Sequence, residues 1–501
     1  MRLTRSSGIL LHPTSLPCTP GIGTIGQQAY RFVDWLASAR QTLWQILPIG
    51  PTGYGDSPYA SFSTFAGNPL MIDLQMIAEQ GFLSTEEITP PDWMKNEGYI
   101  DYSGVVFWKI PVLKTAARHF MDKLADGSNS FAQKYSEFAE KQAYWIDEYA
   151  IFMSIKEFYD AKAKEENRFG AMWSNYWPEN LASHSTRAVN KWAKDHANEI
   201  EIYKVIQFFF FEQWNNLKNY ANSKGISIIG DIPIFVAPDS ADVWANQGLF
   251  QVDESGKATA VAGVPPDYFC ATGQLWGNPL YDWEAMKKTK YAWWIKRIKA
   301  MLGVVDYVRI DHFRGFEAYW SVPAGAETAV TGEWIKGPDH DLFNAIKKQL
   351  GDIPIIAEDL GLITDEVKAL RDDFELPGMR VLQFAFDTNE IDAGGCINSF
   401  LPHMYSENSV VYTGTHDNET MQGWLNAAPE REIEMIKNYL GGVSDNSQLC
   451  PRMIQLALSS VAAFAVIPMQ DIFAIGSEGR MNTPATTGGH NWQWRMSEEH
   501  F

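Results

Sequence analysis

Eight short apolar runs, each ending in polar residues or a Gly- or Pro-containing turn, constrain the fold of this chain most strongly. Helical patterns separate most of these runs, which predicts parallel strands buried on both faces of a sheet. The 501 residues could hold two or three ordinary domains, but eight such units predict one TIM (β/α)8 barrel with insertions. The predicted strands are 8–12, 42–47, 226–231, 304–311, 353–358, 380–385, 410–413 and 464–469.

The alternation of strand and helix is interrupted between the second and third predicted strands. Within this interruption, aromatic residues at helical spacing predict a helix over 142–163. We therefore expect a single barrel domain over 1–501 with a mostly helical inserted subdomain at about 50–225. A second excursion at about 237–282 is rich in Gly, Pro and aromatic residues and is expected to cover a cleft. No carboxy-terminal β-sandwich domain is expected.

The composition excludes several classes of partner. A formal net charge of −20 disfavours nucleic acid and anionic membranes, because both would repel the chain. The amino terminus lacks a signal-peptide pattern, and no run approaches the length of a membrane span. Four widely spaced cysteines show no metal or redox spacing, so a cytoplasmic location, no metal and no cofactor are expected.

The fourth predicted strand ends in two charges that lie on one face. Residues two apart share a face of a strand, so Arg309 and Asp311 are expected to be neighbours. Arg309 is expected to lower the pKa of Asp311 and keep it ionised, as a nucleophile requires. A purely structural ion pair would produce the same pattern.

Acidic residues follow several of the predicted strands. Asp231, Asp311 and Glu358 end the third, fourth and fifth strands, and His416 and Asp417 follow the seventh. An acid after a strand is often a helix cap, but in such barrels the strand ends converge on one rim. Paired carboxylates beside many loop aromatics predict glycoside chemistry, with Glu358 as an acid/base whose pKa is raised by neighbouring anions.

Ten distinctive stretches occur in order along the chain. They are 11–17 (LHPTSLP), 44–51 (WQILPIGP), 55–59 (GDSPY), 230–236 (GDIPIFV), 263–269 (GVPPDYF), 276–279 (WGNP), 309–315 (RIDHFRG), 357–361 (AEDLG), 414–418 (GTHDN) and 480–482 (RMN). Together these stretches resemble the 4-α-glucanotransferases called amylomaltases or disproportionating enzymes, and the resemblance covers nearly the whole chain.

This resemblance implies an enzyme that transfers part of a 1,4-α-glucan to the 4-hydroxyl of a glucose or glucan. Its partners would be maltooligosaccharides and linear α-1,4-glucans. It implies Asp311 as nucleophile, Glu358 as general acid/base and Asp417 as the acid that grips the distorted ring. The retaining mechanism would place the first two carboxyls roughly 5–5.5 Å apart. The implied substrate-binding residues are Tyr59, Asp231, Arg309 and His416 at the transferred glucose, Asp267, Gln274 and Trp276 on the acceptor side, and Asn482.

Three other interpretations remain open at this point. An α-amylase-type hydrolase on the same barrel is disfavoured by the helical insertion and the expected lack of a β-domain. A non-catalytic glucan-binding protein is disfavoured by the complete set of acids. A dinucleotide enzyme is suggested by GIGTIG at 21–26, but prolines precede this stretch and no acid lies about twenty residues on.

Overall fold

The computed structural model describes residues 3–18, 20–94, 98–266, 270–387 and 398–500. Short strands alternate with helices along most of this length. The strands are β1 Ser6–Leu10, β2 Leu43–Gln45, β3 Ser227–Pro233, β4 Ala260–Val264, β5 Gln274–Pro279, β6 Tyr307–Asp311, β7 Ala318–Pro323, β8 Glu333–Lys336, β9 Ile355–Ala357, β10 Gly378–Val381, β11 Ser409–Tyr412 and β12 Phe464–Pro468.

The α-helices range from single turns to more than thirty residues. They are α1 Gln27–Ser38, α2 Leu74–Glu79, α3 Tyr102–Ala125, α4 Ala132–Glu165, α5 Trp173–Tyr176, α6 Glu179–Ala182, α7 Thr186–Asp195, α8 Ala197–Ser223, α9 Ala241–Ala245, α10 Trp283–Lys288, α11 Ala292–Val304, α12 Asp339–Leu350, α13 Asp365–Asp373, α14 Leu382–Phe386, α15 Met421–Ala427, α16 Glu430–Tyr439, α17 Leu449–Ser459 and α18 Met469–Ile472. None of the helices in the described ranges is both long enough and apolar enough to cross a membrane.

Eight parallel strands close into a barrel in the order β1, β12, β11, β10, β9, β6, β3, β2. This confirms the predicted TIM barrel, and each predicted strand overlaps an observed one. The strands are almost entirely buried, since helices cover the outside and side chains fill the inside. The carboxyl ends of these strands therefore meet at one rim.

Two sequence boundaries were wrong. The sixth strand was predicted at 380–385, but β10 ends at Val381 and α14 follows directly. Leu382, Ala385 and Phe386 are buried at helical spacing, and a short apolar run does not distinguish a buried strand from a buried helix. The apolar pattern at 453–463 also predicts a helix from the sequence, whereas α17 lies at Leu449–Ser459 because the residues after it lead into β12.

Helices α2 to α8 occupy most of the chain between β2 and β3. The long helices α4 and α8 pack together, and aromatic rings of α3, α4 and α8 meet in edge-to-face and tilted contacts. Two glutamines of α8 hold the segment that leaves the barrel. Gln207 accepts from the backbone N–H of Gly67 at 2.8 Å and donates to its carbonyl at 2.9 Å. Gln213 makes the same pair of bonds with Asp73, at 2.7 and 2.9 Å.

A second, antiparallel sheet lies beside the barrel in the order β5, β4, β7, β8. Its strands come from both sides of β6, because β4 and β5 precede it and β7 and β8 follow it. The sequence predicted a loop region at about 237–282, whereas this region contributes two strands. The strands are short and contain Gly and Pro, which hides their pattern.

We predict that Gln207→Met lowers the free energy of unfolding by about 2–4 kcal/mol, because the buried backbone groups of Gly67 lose both partners. Urea unfolding followed by circular dichroism measures this. Gln133→Met, at an exposed position of α4, removes a surface bond to Glu137 and should change stability by less than about 0.5 kcal/mol. Equal effects of the two substitutions would contradict a stabilising role for the two hydrogen bonds between Gln207 and Gly67.

Candidate active site

A buried arginine joins two carboxylates at the rim of the barrel. Neighbouring strands β3 and β6 are in register with Asp231 opposite Arg309. The Arg309 guanidinium donates through Nη1 to Asp231 and through Nη2 to Asp311 at 2.8 Å. Arg309 is 3% exposed and Asp231 is 1% exposed, so this pair lies in a low-dielectric environment. The structure thus places Arg309 and Asp311 together as the alternation of the strand predicts.

Tyr59 attaches the loop after β2 to this cluster. Its hydroxyl donates to Asp231 Oδ2 at 2.8 Å. Its ring stacks on the imidazole of His416, with centroids 5.2 Å apart and planes at 16°. The ring of Trp492 lies 5.7 Å from Tyr59 and 5.9 Å from His416. Three aromatic rings therefore form one wall of the rim.

Glu358 follows β9, the other neighbour of β6. Ile310 of β6 pairs with Ala357 of β9. The residues that follow them, Asp311 and Glu358, therefore lie side by side at the ends of the two strands. The Glu358 carboxylate accepts from the backbone N–H of His312 at 2.6 Å and of Leu360 at 2.8 Å. These two bonds fix the side chain of Glu358, a residue that is 9% exposed.

The pKa values of the two carboxyls are both raised, and to different extents. Burial raises the pKa of Asp311 to about 6, and the adjacent Arg309 offsets part of this rise. The expectation that Arg309 lowers this pKa below its ordinary value was therefore wrong, since desolvation outweighs the ion pair. Burial and the charge of Asp311 raise the pKa of Glu358 to about 8. Around pH 7 the pair favours an ionised Asp311 beside a protonated Glu358.

The pKa of Asp417 is lowered, in contrast to the raised pKa values of Asp311 and Glu358. Burial acts to raise its pKa, but the neighbouring His416 and a hydrogen bond from Asn482 lower it to about 2. His416 Nε2 lies 3.2 Å from Asp417 Oδ2, and Asn482 Nδ2 donates to Oδ1 at 2.7 Å. Burial acts to lower the pKa of His416, and Asp417 reverses this and raises it. Asp417 therefore stays ionised.

Two of the three acceptor-side residues implied by the resemblance, Gln274 and Trp276, lie on β5. Gln274 begins this strand, and Trp276 is 37% exposed with its indole N–H 3.2 Å from Gln274 Oε1. The Trp276 ring meets the ring of His312 edge-on at 4.8 Å. Asp267 lies outside the described residues, so its assignment stays a prediction.

The sequence reasoning did not assign three residues that the structure brings to this site. Trp492 contacts Tyr59 and His416 although it is far from both in sequence. No local sequence pattern predicts this contact. Burial and the nearby His416 lower the pKa of His12 to about 3 and keep its ring neutral. His312 connects Glu358 with Trp276. His12 and His312 lie within the resembling stretches, which was the available signal.

The geometry defines a class of protein. A parallel barrel with a nucleophile-like and an acid-like carboxyl at neighbouring strand ends, walled by aromatic rings, is the arrangement of a glycoside-transforming enzyme. The 4-alpha-glucanotransferase family matches residues 11–499. The chain belongs to this family and is an enzyme of the transferase class.

Curated relatives and solved structures agree with this assignment. A 4-alpha-glucanotransferase of Synechocystis is 49% identical over 98% of this chain and 94% of its own length. A 4-alpha-glucanotransferase of Thermus thermophilus is 46% identical over 99% and 95%. The structure is similar to an amylomaltase from Streptococcus agalactiae in complex with acarbose, with a TM-score of 0.91, 37% identity and coverage of 99% and 96%.

We predict that Arg309→Met destabilises the protein by about 3–5 kcal/mol at pH 8, because the buried Asp231 and the partly buried Asp311 lose their cation. Without Arg309 the pKa of Asp311 rises further. The penalty is therefore full where Asp311 of the folded variant is ionised, and it shrinks as the pH falls through the raised pKa of the variant toward the value of about 6 in the wild type. Urea unfolding at both pH values measures the difference.

The matched control is Arg31→Met, which removes an exposed pair with Glu498. It should change stability by less than about 1 kcal/mol and show no such pH trend. A pH-independent penalty in Arg309→Met would contradict the electrostatic account.

Proposed function

We propose that this chain transfers segments of 1,4-α-glucans to the 4-hydroxyl of an acceptor glucose or glucan by a retaining double displacement. The carrying observation is the pair Asp311 and Glu358 at equivalent levels of β6 and β9, with pKa values near 6 and 8. One group is then ionised and the other protonated at neutral pH, which is the division of roles that such a reaction needs.

In the first half-reaction, Asp311 attacks the anomeric carbon of the donor and forms a covalent glycosyl ester. Glu358 donates its proton to the departing glycosidic oxygen, and the shortened glucan leaves with its new hydroxyl. Asp417, whose low pKa keeps it ionised, accepts hydrogen bonds from hydroxyls of the reacting sugar ring. Its negative charge also stabilises the positive charge that develops on this ring. The separation of about 5–5.5 Å between the Asp311 and Glu358 carboxyls stays a prediction.

In the second half-reaction, Glu358 takes the proton of the acceptor 4-hydroxyl, and that oxygen displaces Asp311 from the anomeric carbon. The stereochemistry is retained because the carbon is attacked twice. In this proposal, the subsite of the transferred glucose is lined by Tyr59, Asp231, Arg309 and His416. Asn482 orients Asp417 through its hydrogen bond to the carboxylate.

The acceptor side favours sugar over water. Trp276 offers a partly exposed ring for stacking, and Gln274 offers an amide for hydrogen bonding. Trp276 contacts His312, whose backbone holds Glu358, so an acceptor on this wall lies beside the base that activates it. Asp267 is proposed to add a further acceptor contact. The cytoplasmic location stays a prediction.

Incubation of the purified protein with maltotriose tests the activity. Glucose together with a ladder of longer maltodextrins is the expected result, because each transfer shortens one chain and lengthens another. Glucose and maltose without longer chains would mean that water is the acceptor and that the protein is a hydrolase. An unchanged substrate would overturn the proposal.

A second prediction separates the two carboxyls. Glu358→Gln should slow transfer from maltotriose roughly 100- to 10,000-fold, because the leaving oxygen is no longer protonated. Maltosyl fluoride needs no such proton, so this variant should still form a glycosyl adduct on Asp311 that intact-protein mass spectrometry detects. Asp311→Asn should form no adduct with either donor.

The control is Asp352→Asn on the exposed surface, which should behave as the wild type. An adduct on Asp311→Asn, or equal loss with both donors in Glu358→Gln, would contradict the assigned roles.

The pH dependence of kcat/KM should be bell-shaped. Activity rises as the nucleophile ionises near pH 6 and falls as the acid deprotonates near pH 8, following the pKa values of Asp311 and Glu358. The two limbs belong to the interacting pair as a whole. Initial rates at low maltotriose concentration between pH 4 and pH 10 measure the profile. A rate that keeps rising above pH 8 would contradict Glu358 as the acid.

A further inference from the structure

A large cavity lies where the inserted helices α4 and α8 meet the barrel helix α11. Its volume is about 750 Å³, which is within the range of small-molecule sites. Its inner end reaches Tyr59 and Asp231. Asp311, Glu358 and Asp417 do not line it, so it is separate from the proposed reacting groups.

The walls of this cavity are apolar and aromatic. Phe65, Phe138, Trp145, Phe208 and Phe211 contribute rings from three segments of the chain. Phe65 and Trp145 stack with their planes at 17°, and Phe138 lies 5.6 Å from both Phe208 and Phe211. Such surfaces favour a flat apolar group, because aromatic rings pack in offset stacks or edge to face.

The mouth of the cavity carries excess positive charge. Lys141 on α4 and Lys296 and Lys299 on α11 are exposed and make no ion pair with any described residue. A fourth lysine, Lys134, is already paired with Glu212 at 2.6 Å. In a chain with a net charge of −20, three unpaired lysines around one opening attract anions locally.

The charges at the inner end are balanced in comparison. The buried Arg297 interacts with Asp242, and Asp231 is paired with Arg309. Glu137 at the mouth accepts a hydrogen bond from Gln133 at 2.8 Å, and its single negative charge offsets only one of the three lysines. A ligand would therefore place its acidic group at the three lysines and its apolar part between the rings.

We propose that this cavity is a binding site for a small aromatic anion, with the ring held between α4 and α8 and the acidic group held by Lys141, Lys296 and Lys299. The aromatic walls select a flat ring, and the lysines select the charge. A neutral sugar would leave the lysines unused and is not the expected ligand.

The probe for this site is 8-anilinonaphthalene-1-sulfonate, a fluorescent aromatic anion. Titration of the whole protein at low salt should show one saturable site, with calorimetry giving the stoichiometry. N-phenyl-1-naphthylamine, which has the same rings without the sulfonate, should bind at least tenfold more weakly. Binding of the anion should weaken as salt is added.

Charge reversal tests the mouth. The double variant Lys296→Glu/Lys299→Glu should weaken dye binding at least tenfold. The matched control Lys194→Glu/Lys348→Glu makes the same change in net charge on exposed helices away from the cavity and should bind as the wild type. Equal weakening in both double variants would mean that net charge alone attracts the dye, and this would overturn the site.

Filling the cavity tests its position independently of charge. Ala300 lines the cavity on α11, and Ala300→Trp should abolish dye binding while circular dichroism and transferase activity stay unchanged. Saturating maltotriose should leave the dye bound to Asp311→Asn. Undiminished binding to Ala300→Trp, displacement of the dye by maltotriose, or no saturable binding to the wild type would each overturn the proposal.

Discussion

The site depends on the buried Arg309 and its two carboxylates. An arginine side chain that is 4% exposed is stable only if its charge and its donors are satisfied, and Asp231 and Asp311 do this from two positions. The register of β3 and β6 brings Asp231 opposite Arg309, and the two-residue period of β6 brings Asp311 to the same face. Tyr59 then ties the first loop of the insertion to the barrel. The ion-pair cluster of Asp231, Arg309 and Asp311 therefore depends on the order and register of the barrel strands, and the inserted segment is attached to it through Tyr59.

Burial decides the acid–base properties of this rim. Arg309 does not lower the pKa of Asp311 below its ordinary value, because desolvation contributes more than the ion pair. Glu358 is more deeply buried than Asp311, lacks a direct cation and faces the negative Asp311, so its pKa rises further. Asp417 differs because His416 and Asn482 hold its ionised form. Three carboxyls of similar chemistry therefore have pKa values near 6, 8 and 2.

The sequence predicted the parts of the fold that repeat and missed those that depend on distant contacts. Eight apolar runs sufficed for the barrel because parallel strands are buried on both faces, and their acidic ends converge by topology. The run at 380–385 divides into strand and helix, which composition alone does not separate. The sheet of β4, β5, β7 and β8 forms only when segments on both sides of β6 meet. Trp492 reaches Tyr59 across more than four hundred residues without a local signal.

The sheet of β5, β4, β7 and β8 fixes the position of the acceptor-side residues relative to Glu358, the proposed acid/base. β5 carries Trp276, and the same sheet continues into β7, which follows the turn after Asp311. His312 occupies a left-handed conformation at that turn, with a φ of 53°. This conformation lets its backbone N–H bind Glu358 while its ring meets Trp276. A shift of the acceptor wall would therefore be transmitted to the Glu358 carboxyl through one residue. The balance between sugar and water as acceptor then depends on how rigidly His312 is held.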